Sequence, residues 1–253
     1  MKSIFITGAS SGIGKEAAIL FAKRGWFVGI TDIDRVGLDL LQKDILKNSF
    51  SDVMNVTNAD QVAAVLRDFS QACGGQLDVV LNNAGILRVN CCEKIPLAEQ
   101  QAIIDVDVKG VLNCSYHAFP YLSKNPGSHL INMASVSGII AIPTLATYSA
   151  SKFWVKAFTE ALNIEWERYG IHVCDVLPNF VHTGMVESNS GEIINNVGVS
   201  ITPKVVAETI WKAAHSKRIH WILDTPQNKL LFALTGIMPY PILRSIIKHK
   251  AGL

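Results

Sequence analysis

The sequence predicts an α/β fold, a doubly wound parallel sheet of about seven strands with helices on both faces, built as a single domain. Three observations predict it. Short apolar runs alternate with helix-period segments almost to the C-terminus, and strands joined by helical connections of this length favour β–α–β units. The runs are apolar nearly throughout, as strands buried on two faces must be. A glycine-rich turn follows directly on the first run.

In order along the chain, SIFITG (3–8) reads as a buried strand, and a helix follows from about 13 to 24, ended by Gly25. WFVGIT (26–31) is the second strand, and the leucine-rich segment near 35–47 is helical. SDVMNV (51–56) makes a weaker third strand. Asn58 followed by Gln61 forms a capping box for a helix that ends near Gly74 and Gly75. LDVVLNN (77–83) is the fourth strand, and 97–124 carries one long helical pattern. SHLINMAS (128–135), IHVCDVLP (171–178) and RIHWILD (218–224) complete the sheet, separated by helices near 147–169 and 203–216. No repeat, low-complexity segment or linker divides the chain, and residues from about 226 to 253 form a hydrophobic extension of the domain.

Composition excludes several functions. Of 253 residues 49% are hydrophobic and 17% charged, which suits a large buried core, and a formal charge of +2 without a dense basic run gives no footprint for nucleic acid. Five cysteines with no CxxC pair fit free thiols in a reducing, cytoplasmic compartment. The seven histidines are scattered, so no metal site is expected. The N-terminal apolar run stops at Gly8, too short for a signal peptide, and the longest uncharged apolar tract (230–243) is too short and too proline-rich to span a membrane.

The turn TGASSGIG (7–14) places Gly8, Gly12 and Gly14 where a strand becomes a helix. Glycine opens backbone angles closed to other residues and lets a phosphate approach the main chain. The helix N-terminus beyond offers unpaired N–H groups and positive partial charge, with Ser10 and Ser11 as further donors. This is the pattern of a Rossmann-type dinucleotide site. Asp32 ends the second strand 18 residues after Gly14, where its carboxylate can accept from both adenosine-ribose hydroxyls and repel a 2′-phosphate. That favours NAD over NADP. Asp32 can equally cap the next turn, and Arg35 nearby could instead meet a phosphate. In TYSASK (147–152), helical spacing puts Tyr148 and Lys152 on one face.

With TGASSGIG, NNAG (82–85), NMAS (132–135) and YSASK (148–152) in that order, the chain resembles the short-chain dehydrogenase/reductase family over roughly residues 3–224. A serine thirteen residues before the tyrosine of a YxxxK motif makes the combination specific. The resemblance implies hydride transfer between a nicotinamide and an alcohol or carbonyl carbon, the cofactor performing the hydride step. It makes Tyr148 the general acid/base and Lys152 a holder of the nicotinamide ribose. Lys152 and an oxidised nicotinamide ring would lower the tyrosine pKa. Ser135 would hydrogen-bond the substrate oxygen. Taken alone, Ser135 reads as a strand-end turn residue. Cofactor contacts implied in the same way are Gly8, Ser10, Ser11, Gly12, Ile13, Gly14, Asp32, Asn55, Val56, Asn82, Ala84, Gly85, Pro178, Val181 and Thr183, besides Tyr148 and Lys152.

Three positions depart from the family pattern. Asn55 stands where Asp is usual, and Asn179 where Gly follows the proline, a turn Asn can keep through its tolerance of positive φ. Asp107, in DVDVKG, stands where an Asn commonly supports a proton relay. Its carboxylate could pair with Lys152 and weaken the help given to Tyr148, relay protons itself, or imitate Asn when protonated.

The segment SGIIAIPTLAT, with Ile140 and Ile142, borders the expected substrate pocket or packs beneath it, which points to a small apolar alcohol or ketone; the family resemblance adds that similar C-terminal tails occur in members acting on lipids, steroids or retinoids. Residues 184–200 read as a lid. For the tail three readings stay open: a pocket wall, a dimer contact, or a membrane-surface segment broken at Gly236, Pro239 and Pro241. The family analogy adds a homodimer or homotetramer through the helices at 97–124 and 147–169. The competing expectation is a dinucleotide-binding regulatory or scaffolding protein, fed by Asp107 and opposed by the intact Ser135, Tyr148 and Lys152.

Overall fold

Seven parallel strands form one sheet: β1 (Ser3–Thr7), β2 (Phe27–Asp32), β3 (Ser49–Val53), β4 (Val79–Asn82), β5 (His129–Met133), β6 (His172–Pro178) and β7 (His220–Leu223). Their order is β3-β2-β1-β4-β5-β6-β7, so the winding reverses between β1 and β4. The computed structural model describes every residue except 46, 47, 190, 236 and 253, and the side chains of all of these except 227 and 231.

Side-chain alternation along each strand builds the two layers. Ile4 and Ile6 of β1 pack with Val28 and Ile30 of β2 against α1 (Gly12–Lys23), α2 (Arg35–Ile45) and α9 (Pro203–Ala213). Phe5 between them faces the opposite way, into a core with Val80, Leu130 and Val173. That second core is closed by α3 (Ala59–Ala72), α5 (Val111–Leu122) and α6 (Ala146–Glu167). The inner strands therefore have helices on both sides, which explains their apolar runs, while the edge strands β3 and β7 are only partly covered.

Several sequence-based expectations shift. The third strand starts two and ends three residues earlier than expected, so Asn55 and Val56 fall just beyond its end. At α3, Asn58 Oδ1 accepts from the Gln61 N–H at 3.0 Å, but the Gln61 side chain does not return the bond. It donates to Val53 O and accepts from Asn55 N–H instead, tying the strand end to the helix. The helix expected over 35–47 runs to Ile45, its last two positions lying outside the described residues. The long pattern over 97–124 is not one α-helix: α4 (Leu97–Ile104) passes through a π-helical segment (Asp105–Gly110) into α5.

The lid region holds two short helices, α7 (Gly184–Glu187) and α8 (Glu192–Val197). The tail forms α10 (Pro226–Leu234) and α11 (Tyr240–Lys250), with Pro239 just before α11 and Pro241 in its first turn; Gly236 lies outside the described residues. Among the described residues no helix is long and apolar enough to cross a membrane, and no group of His, Cys, Asp and Glu could hold a metal ion.

Candidate active site

The carboxyl ends of the strands, at the reversal between β1 and β4, open into a cleft of ≈ 330 Å³. Doubly wound sheets place ligands at such a switch point. The chain leaves β1 through Gly8 (φ +65°) and enters α1 through Gly12 (φ +54°), left-handed angles that a side chain would strain. Ser10, Ser11, Gly12 and Ile13 line the cleft beside Gly8. No side chain caps α1, so its first N–H groups stay available to an anion. Gly14 serves otherwise: it does not line the cleft, and a Cβ there would lie 2.2 Å from Gly8 O. It lets helix and turn pack together.

Asp32 lines the cleft at the end of β2. Its Oδ2 accepts from Ser10 N–H at 3.0 Å and Ser10 Oγ at 2.7 Å, and its Oδ1 accepts from Asp34 N–H at 3.1 Å. The capping reading holds, and the carboxylate is oriented by these bonds at the cleft wall. Arg35 lies against Asp39 and Asp52, both at 3.8 Å. Asn55 and Val56 line the same end of the cleft.

Asn82 does not reach the cleft. Its amide points into the interior, donating to Ser115 Oγ at 3.0 Å and Asn132 Oδ1 at 2.9 Å. Its neighbour Asn83, which the sequence reading passed over, lines the cleft and donates to Thr7 O and Gly8 O. Thr7 Oγ1 accepts from the N–H groups of Asn83 and Ala84, both at 3.0 Å. These four bonds stitch the NNAG loop to the glycine turn and set Ala84 and Gly85 along the cleft wall.

Ser135, Tyr148 and Lys152 meet at the opposite end of the cleft. Ser135 follows β5; its hydroxyl donates to Pro178 O at 3.3 Å and accepts from Ser137 N–H at 3.2 Å. Lys152 Nζ lies 5.4 Å from the centre of the Tyr148 ring and donates to Met133 O at 3.1 Å. Beneath it, out of the cleft and fully buried, Asp107 Oδ2 approaches Nζ to 3.2 Å. Asp107 Oδ1 accepts from Ile86 N–H at 2.8 Å, and Ser151 Oγ, which donates to Tyr148 O at 2.7 Å, lies 3.5 Å from Oδ2. The π-helical segment carries Asp107 and so sets it under the lysine.

Lys152 pulls the Tyr148 pKa in the expected direction, against a larger effect of burial. Burial pushes the Tyr148 phenol above its ordinary pKa; Lys152 and the Ser135 hydroxyl oppose this, and Asp107 reinforces it. Burial alone would lower Lys152, yet the facing Asp107 and Tyr148 raise it, so it stays protonated. Burial also lifts Asp107, against the pull of Lys152.

Pro178, Val181 and Thr183 line the cleft, followed by the lid residues Met185 and Val186. Asn179 does not take positive φ; it keeps the turn by donating to Asp224 Oδ2 at 2.8 Å and accepting from Phe180 N–H. Ile86, Leu87, Val106 and Phe180 give the cleft an apolar wall. Ile140 and Ile142, expected to border the substrate pocket or to pack beneath it, line a separate small cavity beneath α8, α10 and α11. Ser190 of the lid is outside the described residues.

Comparison with known proteins agrees with this geometry. The family model described as short chain dehydrogenase matches residues 2–194. The chain is 37% identical over 189 residues to the 3-oxoacyl-[acyl-carrier-protein] reductase FabG of Thermotoga maritima, covering 74% of this chain and 76% of that protein. It is 30% identical over 217 residues to the cyclohexanol dehydrogenase of an Acinetobacter species, covering 83% and 86%. Among solved structures it is similar to the 3-ketoacyl-(acyl-carrier-protein) reductase from Brucella melitensis complexed with NADH, with a TM-score of 0.82 and 27% identity, covering 88% of this chain and 96% of that one.

Proposed function

Because the chain belongs to the short-chain dehydrogenase/reductase family, we propose that this oxidoreductase is an alcohol dehydrogenase or carbonyl reductase acting on a small apolar secondary alcohol, ketone or aldehyde. Tyr148 is its general acid/base. The observation that carries the reading is the convergence of Ser135, Tyr148 and Lys152 at one end of a cleft whose other end is the glycine turn. The whole chain works as one dinucleotide-binding and catalytic unit, with residues from about 226 onward as an extension.

The residues fit a nicotinamide dinucleotide. The uncapped start of α1 and the two left-handed glycines suit a pyrophosphate. Asp32 offers a carboxylate at the ribose position and disfavours a 2′-phosphate, which supports NAD over NADP. When bound, the dinucleotide supplies or accepts the hydride. Tyr148 gives its proton to the oxygen of a reduced carbonyl, or takes it from an alcohol. Ser135 hydrogen-bonds the same oxygen and stabilises its developing charge. Lys152 favours the tyrosinate and holds the ribose hydroxyls, while Asp107 fixes the position and charge of Lys152 from below. Asp107 is thus a positioning residue.

An apolar substrate is supported by the wall formed by Ile86, Leu87, Val106, Phe180, Met185 and Val186, and by the likeness to a cyclohexanol dehydrogenase. Copies pair through α5 and α6, whose outer surfaces expose Leu112, Tyr116, Phe153 and Ile164. The regulatory or scaffolding alternative is not favoured, because Ser135, Tyr148 and Lys152 are all present and line one cleft.

A panel of cyclic and linear ketones, their alcohols and 3-oxoacyl thioesters, each assayed with both cofactors by nicotinamide absorbance, tests the proposal. It predicts turnover of apolar ketones with NADH in preference to NADPH. Turnover of the thioesters alone would replace the substrate class, and binding of cofactor without turnover of any would restore the non-catalytic alternative.

A further inference from the structure

The tail differs from the rest of the chain in charge. Residues 225–253 contain Lys229, Arg244, Lys248 and Lys250 and no Asp or Glu. Since the whole chain has 23 basic and 21 acidic residues, residues 1–224 hold 19 and 21, a net of −2 against +4 for the tail. Its inner face is occupied. Phe232, Ile246 and Ile247 meet Ile193 and Val197 of the lid helix α8 around a small cavity, and Ala251 is buried. Lys250 Nζ donates to Asn228 Oδ1 at 3.0 Å, and its carbonyl accepts from Asn196 of α8 at 3.2 Å.

The outer face has no such cover. Leu230 and Leu234, one turn apart on α10, are exposed, and so are Ile237 (80% exposed) and Tyr240 (71%) at the turn into α11. Beside this row Arg244 and Lys248, again one turn apart, and Lys229 point to solvent. Among the described residues none of the three pairs with a carboxylate, whereas basic residues of the body do: Arg24 with Glu208, Arg88 with Glu99 and Lys109 with Asp105. An apolar row ending in an aromatic ring and flanked by unpaired cations fits the boundary between acyl chains and anionic headgroups.

We infer that the outer face of α10 and α11, from Leu230 to Lys248, docks on an anionic lipid bilayer. Leu230, Leu234, Ile237 and Tyr240 enter the headgroup boundary, and Lys229, Arg244 and Lys248 bind phosphate groups. A second copy of the chain fits this face poorly, because a symmetric pairing would bring the same cations together with no acid on the patch to answer them. Since the inner face of the tail packs on α8, docking sets the lid side of the cleft beside the membrane.

Cosedimentation of the full chain with vesicles tests this. The protein should pellet with vesicles of equimolar phosphatidylcholine and phosphatidylglycerol, not with phosphatidylcholine alone, and should be released as salt rises. Arg244→Gln and Lys248→Gln should each weaken partitioning about fivefold. Ile237→Glu with Tyr240→Glu should abolish it while leaving NADH binding and the melting temperature unchanged. Failure to pellet with anionic vesicles, or equal pelleting of the Glu variant, overturns the inference. So does a dimer that the same Glu substitutions dissociate, which would assign the face to a second copy.

Discussion

Lys152 and Asp107 form a buried ion pair, Nζ to Oδ2 3.2 Å, directly beneath the Tyr148 ring. The pair holds the lysine charged, but its anion also works against ionisation of the phenol. Replacing Asp107 by Asn keeps an acceptor for Ile86 N–H and removes the negative charge. In alcohol oxidation, kcat/KM rises as Tyr148 loses its proton, so the Asp107→Asn profile should rise at lower pH than that of the wild type. A rise at the same or higher pH contradicts the assignment. The unanswered Lys152 charge should also cost about 3 kcal/mol of stability, read from denaturant unfolding.

Asp32 faces the cleft with both oxygens already oriented by Ser10 and Asp34. Asp32→Ala should weaken NADH binding about tenfold and narrow the preference over NADPH, as measured by fluorescence titration. Unchanged affinity for both cofactors would sink the ribose assignment.

Asn83→Ala removes the donors to Thr7 O and Gly8 O and loosens the glycine turn. We expect a stability loss of about 1–2 kcal/mol, together with weaker binding of both cofactors to a similar degree. Calorimetric melting with and without NADH separates the two effects; loss of stability with unaltered cofactor affinity would limit Asn83 to a structural role.

Far from the cleft, His129 and His172 pair in register at the amino ends of β5 and β6, their rings 5.2 Å apart. Burial first, then the neighbouring His172, lower His129 from 6.5 to about 4, and burial lowers His172 as well. A base with a depressed folded-state pKa gives stability that is complete above its unfolded value and lost as pH falls towards the folded one. For His129 the window is therefore from about 6.5 down to about 4, worth about 3 kcal/mol. His129→Phe should flatten the acid side of the stability curve in that window. An unaltered slope contradicts the burial argument.

The alternating strands and helices were legible because burial on two faces leaves a clear apolar run, and the site was legible where residue type and strand end coincide, as at Gly8, Asp32 and Ser135. Asn82 was misplaced for a reason the sequence did contain. Val80 and Asn82 share a face by alternation, and Val80 belongs to the α3–α5–α6 core, so Asn82 had to point inward and Asn83 toward the cleft edge. The π-helical segment was not legible, because DVDVKG has no feature that separates it from an α-helical turn. The cavity that Ile140 and Ile142 share with the tail was not legible, because it is closed by a long-range contact with no local signal.

The central claim is that Tyr148 moves the proton in a cleft that also binds a nicotinamide dinucleotide, and Tyr148→Phe tests it most directly. Steady-state reduction of an apolar ketone should fall by about 10²–10⁴-fold in kcat, while NADH affinity stays at the wild-type value. Undiminished turnover by the variant would contradict the account.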